Sequence, residues 1–227
     1  LNPNITSVPA EFQSVIGNVG ISFCLLQENL NGESFSGINR VFTNVDQFQG
    51  FSDAMKKTNQ GGVDAWDSEK YLNIWVCDLS GNALGFATMP GDVTPDLDGV
   101  VIDYEFFGVN SLSSSQYNLG KTATHEIGHY LGLNHTFAEG GGWGNNPCVD
   151  NQGNLQCCDN DNANVNDTPP TNDIYWNLVN SSMPPTSSSS YNSCNDQAYG
   201  FNTDSPDMHE NYMSYAANTW MFTNGQI

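Results

Sequence analysis

Residues 125–135 read HEIGHYLGLNH, and this stretch holds three of the four histidines in the chain. On a helix, His125 and His129 lie one turn apart on the same side, so two imidazoles can bind one metal ion. Ala123, Ile127 and Leu131 form a second row at the same spacing, nearly opposite the first. The pattern therefore predicts a helix with one face for the core and one face for metal chemistry.

A third ligand and a general base follow from the same stretch. Gly132 stands where a helix needs a residue in the left-handed conformation, and the turn it allows brings His135 round to the metal. Glu126 can reach a water on the metal without being a ligand itself. Three neutral nitrogens and one open position are typical of a catalytic zinc, whereas structural sites are usually closed by four protein ligands. The alternative is a helix with unrelated surface histidines, but the complete motif is rare, and we favour the zinc site.

The charge balance restricts the partners. The chain has 227 residues, with 25 acidic residues against 5 lysines and arginines, for a net charge of −20. This excess argues against nucleic acid and anionic membranes as partners. It fits a soluble extracellular protein that is salt-tolerant or loaded with calcium, although solubility alone would explain most of the carboxylates. No apolar run is long enough to span a membrane.

Six cysteines indicate disulfide bonds in an oxidising compartment. Cys157 and Cys158 are adjacent and are expected to pair with different partners, so that two bridges staple residues 148–194. A pair between Cys24 and Cys77 requires that their two strand-like runs be neighbours. The connectivity stays open, and the candidates are Cys24, Cys77, Cys148, Cys157, Cys158 and Cys194.

Apolar patterns predict an α/β (α+β) domain. The predicted strands are residues 20–26, 38–42, 71–78, 83–88 and 100–107, and the predicted helices are residues 45–59 and 118–131. Residues 138–207 are rich in Gly, Asn, Asp, Pro and Ser, which indicates irregular structure. We expect an N-terminal subdomain, residues 1–135, and a C-terminal subdomain, residues 136–227, that form one catalytic domain with a cleft between them.

The motif at 125–135, together with NYMSY at 211–215, resembles the metzincin zinc peptidases, in which the second stretch is the Met-turn. Within that clan the chain is similar to the pappalysin family, in particular its secreted ulilysin- and cytophagalysin-like members. The matching segments are YLNIWVC at 71–77, LGFATMPG at 84–91, DGVVIDY at 98–104, KTATHEIGHYLGLNHTF at 121–137, DTPP at 167–170 and MFTNGQ at 221–226.

The resemblance implies a secreted zinc endopeptidase with a twisted mixed sheet, a backing helix, an active-site helix and a disulfide-stapled, irregular C-terminal part. In this interpretation Glu126 assists the attack of zinc-bound water on internal peptide bonds, Met213 supports the site, and Tyr215 stabilises the tetrahedral intermediate. The zinc ligands would be His125, His129 and His135, and the strand along the cleft, pairing with an extended substrate, would contain Gly85, Phe86, Ala87 and Thr88.

The loop after the Met-turn, residues 216–220 with Asn218 at its centre, is expected to contact substrate. Relatives that prefer a basic residue just after the scissile bond carry an acidic residue and a nearby cysteine there, and this loop has neither. An uncharged substrate side chain fits that pocket at least as well as arginine.

The resemblance also implies a structural calcium ion in the C-terminal half. Its candidate ligands are Asp159, Asp161, Asp167 and the carbonyl of Thr168; solvated loop carboxylates are the alternative. Protein or peptide substrates and a monomeric state are expected. Two other functions were weighed, another metzincin subfamily and a non-proteolytic metal-binding interaction module. The module has no need of the general base, so Glu126 argues against it.

Overall fold

The computed structural model describes residues 8–109, 117, 119–137, 165–171, 175 and 192–227. Its strands are β1 (Phe48–Gln49), β2 (Ile74–Cys77), β3 (Leu79–Ser80), β4 (Gly85–Ala87) and β5 (Val100–Asp103). A single α-helix, α1 (Lys121–Tyr130), lies within these described residues. The predicted α/β class is confirmed.

The central sheet is mixed and three-stranded, in the order β2-β5-β4. β5 is parallel to β2 and antiparallel to β4. Its residues Val100, Val101 and Ile102 are completely buried, as expected for an apolar, β-branched run covered on both faces. α1 packs on β4 and β5. The strands predicted within residues 71–78, 83–88 and 100–107 are therefore present, in shortened form.

The prediction of a helix at residues 45–59, the backing helix of the expected fold, was wrong. Phe48 and Gln49 instead pair in parallel with Leu79 and Ser80, and two 3-10 turns follow at Ala54–Lys56 and Thr58–Gln60. At Gly50, a Cβ atom would lie 2.6 Å from the Ser80 carbonyl oxygen. Val45, Phe48, Ala54 and Met55 do enter the core, but Phe51 is 61% exposed. Strand pairing, and not the spacing of apolar residues, determines the backbone here.

The prediction of strands at residues 20–26 and 38–42 was also wrong. Both segments are irregular, and Ile21, Phe23 and Leu25 are 50–63% exposed. The chain instead folds back on itself, and Gly37 packs against the backbone of residue 26. Cys24 and Cys77 are both free, so the disulfide considered between them does not form; it required a strand at residues 20–26.

The described C-terminal part is irregular, as predicted. Its regular elements are the 3-10 turns Asp196–Tyr199 and Asn224–Gln226. Cys194 is disulfide-bonded, and its partner lies outside the described residues, as do Cys148, Cys157 and Cys158. In the part of the chain that is described, no helix has the length and apolar character needed to cross a membrane.

Candidate metal centre

The end of α1 delivers the third histidine. Gly132 adopts a left-handed φ of 97°. Its N–H donates to the His129 carbonyl (2.8 Å), and the Leu133 N–H donates to the Gly128 carbonyl (2.9 Å). These two bonds form a Schellman motif, which ends the helix and reverses the chain. The turn places the His135 ring beside the two histidines of the helix, as the sequence predicted.

The three imidazoles converge on one point. The Nε2 atoms of His125, His129 and His135 are 3.0–3.1 Å apart. The Nδ1 atoms of two rings face carbonyl oxygens: His125 faces Tyr212 (2.6 Å) and His129 faces Leu133 (2.7 Å). A nitrogen facing a carbonyl must carry the proton, which leaves the Nε2 lone pairs of these two rings directed at each other. Their short separation is therefore a ligand arrangement rather than a hydrogen bond.

This arrangement fits a zinc ion. Tetrahedral ligands at about 2.0–2.1 Å from zinc are roughly 3.3 Å apart, close to the observed spacing. Burial, and then the neighbouring histidines, lower the pKa of His125 and of His135, so both rings are neutral and able to donate a lone pair. Three histidine ligands leave one position open. Among the described residues, these histidines form the one group of potential metal ligands.

Glu126 lies beside this centre on the buried side of α1. Its side chain is 6% exposed, and it receives no hydrogen bond from the described residues. Burial raises the pKa of its carboxyl group to about 8, so the charged form needs a positive charge nearby. A Cβ atom on Gly85 would lie 3.0 Å from Glu126 Cγ. Strand β4 therefore passes directly over the carboxylate.

The faces of α1 differ from the prediction in one respect. Ala123, Ile127 and Leu131 were expected to face the core, yet none of them is buried and Leu131 is 51% exposed. The buried positions of the helix are Thr122, His125, Glu126 and Gly128. The reason is that the metal-binding face points into the interior, between the sheet and the C-terminal segment.

Met213 lies in a tight turn under the histidines. The Ser214 N–H donates to the Asn211 carbonyl (2.9 Å), and the Thr136 N–H donates to the Met213 carbonyl (3.2 Å). The Met213 side chain is completely buried and packs against Gly128 of α1. Since Tyr212 in the same turn holds the His125 ring, the turn fixes the metal centre from below.

Two buried amides that the sequence interpretation gave no role hold this turn in place. Asn211 Nδ2 donates to Gln226 Oε1 (2.7 Å), and the Met213 N–H donates to Asn211 Oδ1 (2.9 Å). Gln226 also closes a capping box with Thr223. The Thr-x-x-Gln pattern at 223–226 is a known helix-start signal and could have identified Gln226.

Aromatic rings enclose the third histidine. Phe137, which the sequence interpretation missed, stacks on His135 with ring centroids 4.6 Å apart and planes 12° apart. The Tyr215 ring meets His135 edge-on at 4.6 Å. Tyr215 therefore lies at the metal centre, where the sequence placed it.

The remaining predicted substrate residues have different surroundings. Strand β4 is an edge strand. The Asp103 N–H bonds to the Leu84 carbonyl and the Thr88 N–H to the Gly99 carbonyl, so by antiparallel alternation Gly85 and Ala87 direct their backbone groups to the free edge. The Thr88 hydroxyl is occupied by Asp98 and Gly99. Phe86 packs on the hydrophobic core. Asn218 is fully buried, and its side-chain amide has no hydrogen-bond partner.

Of the calcium candidates, Asp159 and Asp161 lie outside the described residues. Asp167 Oδ2 accepts a hydrogen bond from the Gly225 N–H (2.9 Å), and its Oδ1 has no partner. The Thr168 hydroxyl is 3.2 Å from that of Thr223. A calcium ion at these residues stays a prediction.

We expect Gly128→Ala to destabilise the protein, although alanine favours a helix over glycine by about 1 kcal/mol. The new Cβ would overlap Met213 Sδ and lie 3.5 Å from Phe222 Cε1. Overpacking of this kind costs about 1–3 kcal/mol, measurable as a lower free energy of unfolding in urea. Adding Met213→Ala makes room for the methyl group, so the double variant should be more stable than the sum of the single effects. A single variant as stable as the wild type would contradict this packing.

Comparison with known proteins identifies similar chains. A family model described as Peptidase_M43, pregnancy-associated plasma protein-A, matches residues 55–227. An extracellular metalloprotease of Neurospora crassa is 42% identical over 101 residues, which are 42% of this chain and 33% of that protein. The chain spans about a third of the length of such curated relatives.

Two solved structures are similar over nearly the whole chain. Mature mirolysin of Tannerella forsythia, in complex with a cleaved peptide, has a TM-score of 0.75 and 35% identity, covering 96% of this chain and 72% of that one. A mutant of promirolysin from the same organism has a TM-score of 0.76 and 34% identity, covering 98% of this chain and 65% of that one.

Proposed function

This chain belongs to the pregnancy-associated plasma protein-A family, Peptidase_M43, and from that membership we propose that it is a zinc-dependent endopeptidase that cleaves proteins or peptides. The family that its motifs predicted, the pappalysins within the metzincins, is confirmed by this match and by the likeness to mirolysin. The observation that carries the proposal is the convergence of three imidazoles beside a buried glutamate.

The chemistry follows from the positions of the side chains. His125, His129 and His135 would hold a zinc ion, which would supply Lewis acidity and would lower the pKa of a water in the open position to about 7. Glu126 accepts the proton of the attacking water and then donates it to the leaving amine. Tyr215, next to His135, offers a phenol to the oxyanion that forms at the carbonyl. The turn at Met213 keeps the imidazoles in place throughout.

The substrate would bind as an extended strand. Gly85 and Ala87 direct their backbone N–H and C=O groups to the free edge of the sheet, and β4 runs over Glu126. A peptide that pairs with this edge gains main-chain hydrogen bonds. The carbonyl group of its scissile bond would then lie near the Glu126 carboxylate. This geometry supports cleavage within a chain, because pairing extends on both sides of the scissile bond.

Secretion is part of the same proposal. Relatives from Neurospora crassa and Sordaria macrospora are named extracellular metalloproteases, and Cys194 forms a disulfide bond, as in proteins of oxidising compartments. The acidic surface is compatible with this location. A structural calcium ion in the C-terminal half and the division of the domain at residue 135 stay predictions.

Digestion of a peptide library, read by mass spectrometry, tests the function. We expect internal cleavage that 1,10-phenanthroline abolishes and added zinc restores, because the reaction depends on the metal. The non-chelating isomer 1,7-phenanthroline is the matched control and should have no effect. Cleavage that persists with the chelator would contradict a metallopeptidase. Folded, zinc-loaded protein that cleaves nothing would instead favour the metal-binding interaction module.

A further inference from the structure

Lys121 stands close to the metal centre. It is the first residue of α1, four positions before His125, and therefore lies one turn, about 5.4 Å, along the same helix face. Its Nζ donates to the Ala217 carbonyl (3.1 Å) and lies 3.6 Å from the centre of the Trp220 ring. The ammonium group thus lies between the active-site helix and the loop that follows Tyr215.

The charge of this ammonium group is not balanced. A lysine has three N–H donors. Lys121 donates one to the Ala217 carbonyl and makes a cation–π contact with the Trp220 ring. Within the described ranges no carboxylate pairs with it, and the first turn of α1 has no acidic residue. By contrast, Lys56 pairs with Asp53 and Lys70 with Asp67. An unpaired, half-buried cation is conspicuous in a chain with a net charge of −20.

A purely structural role explains this arrangement poorly. Burial alone lowers the pKa of Lys121 to about 8, which shows that its surroundings disfavour the charge. An uncharged side chain of similar length would pack on Trp220 and join the helix to the loop without that penalty. Among the described residues, Lys121 and Trp220 are both only partly buried. These features describe a cation that has no anionic partner among the described residues.

We propose that Lys121 binds the side-chain carboxylate of an aspartate or glutamate next to the scissile bond, and that it makes the enzyme selective for acidic substrates. The inference rests on the proposed peptidase function. An extended peptide advances about 3.3 Å per residue and a helical turn rises about 5.4 Å, so we place the side chain of a residue flanking the reacting carbonyl within reach of Lys121. The carboxylate would use the two free N–H donors and pair with the charge over Trp220.

The decisive experiment uses matched peptides that differ only in glutamate against glutamine at either position flanking the cut. Their termini are acetylated and amidated, so that no terminal carboxylate competes. For the wild type, we expect kcat/KM for the better glutamate peptide to exceed that of its glutamine analogue at least about tenfold, as for a charge-assisted hydrogen bond. In Lys121→Met this ratio should fall to about one, and Lys121→Arg should keep most of it.

Lys70→Met is the matched control, because it removes the same charge from an exposed ion pair and should keep the ratio. A wild-type ratio near one, or an unchanged ratio in Lys121→Met, would overturn the proposal. Cleavage of the glutamine peptide tests the peptidase function separately, since it needs no anion site. Glu126→Gln protein should bind the two peptides without cleaving them, so their dissociation constants give a second readout. We expect tighter binding of the glutamate peptide, and no such preference when Lys121→Met is added.

The preference should also depend on pH. The ratio is expected to be constant near pH 7 and to fall above about pH 8, as Lys121 loses its proton. Burial is the one cause of this pKa shift, and taking the ratio of two matched peptides cancels other ionisations that affect both. A ratio that persists unchanged to pH 10 would contradict an ammonium group as the selecting element.

Discussion

Glu126→Gln is expected to lower kcat/KM for peptide cleavage by about 10³-fold or more while zinc stays bound. Glutamine keeps the volume of the side chain but can neither accept the proton of the attacking water nor return it to the leaving amine, and acid–base catalysis contributes about 10²–10⁴-fold. The metal ligands are separate residues, so zinc stoichiometry by atomic absorption should equal that of the wild type. Glu126→Ala should lose activity in the same way.

The control for this substitution is the same chemical change at another buried acid. Glu210 is completely buried; its carboxylate oxygens make no hydrogen bond, but Oε1 lies 3.1 Å from His209 Nε2. Glu210→Gln should keep zinc and activity, because Glu210 lies outside the converging histidines and a glutamine amide can still contact His209. Both variants keep the volume of the side chain and should remain folded. If Glu126→Gln retained wild-type activity, the assignment of the base would be wrong.

The convergence of the three histidines could be predicted because local backbone geometry relates them. His125 and His129 are four residues apart, and Gly132 supplies the left-handed turn that returns His135. These relations are local, so no knowledge of tertiary contacts is needed. Local apolar patterns also located α1 and the three strands of the central sheet, of which β5 combines a β-branched run with complete burial.

The failures come from relations that are not local. Residues 45–59 have apolar side chains at helical spacing, but the pairing of Phe48 with Leu79, far along the chain, determined the backbone. The ring of Phe137 reaches the site through a tertiary contact that no periodicity encodes. The capping pattern at 223–226 marks Gln226 but not its contact with Asn211, which is also tertiary. Apolar spacing thus predicted neither the pairing of the backbone nor, at Phe51 and Leu131, the burial of the side chain.

His135→Ala is expected to abolish high-affinity zinc binding. Outer-shell partners of a metal site contribute about 10–100-fold to affinity, and a ligand should contribute at least as much. Zinc at about 1,000 times the wild-type Kd adds about 4 kcal/mol to the free energy of unfolding, and after a 100-fold loss the same concentration adds only about 1.4 kcal/mol. Thermal unfolding with and without zinc measures this difference, and peptidase activity should disappear with it.

The comparison with and without zinc matters because His135 also packs against Phe137 and Tyr215. Losing those contacts destabilises the variant by about 1 kcal/mol with or without metal. This loss therefore cancels when the stability without zinc is subtracted from the stability with zinc. His209, the fourth histidine, is the matched control, since it is 3% exposed and lies outside the converging group. His209→Gln should unfold at a lower temperature yet keep the full stabilisation by zinc. If His209→Gln lost that stabilisation and His135→Ala kept it, the metal centre would lie elsewhere, and both the peptidase mechanism and the anion site at Lys121 would lose their basis.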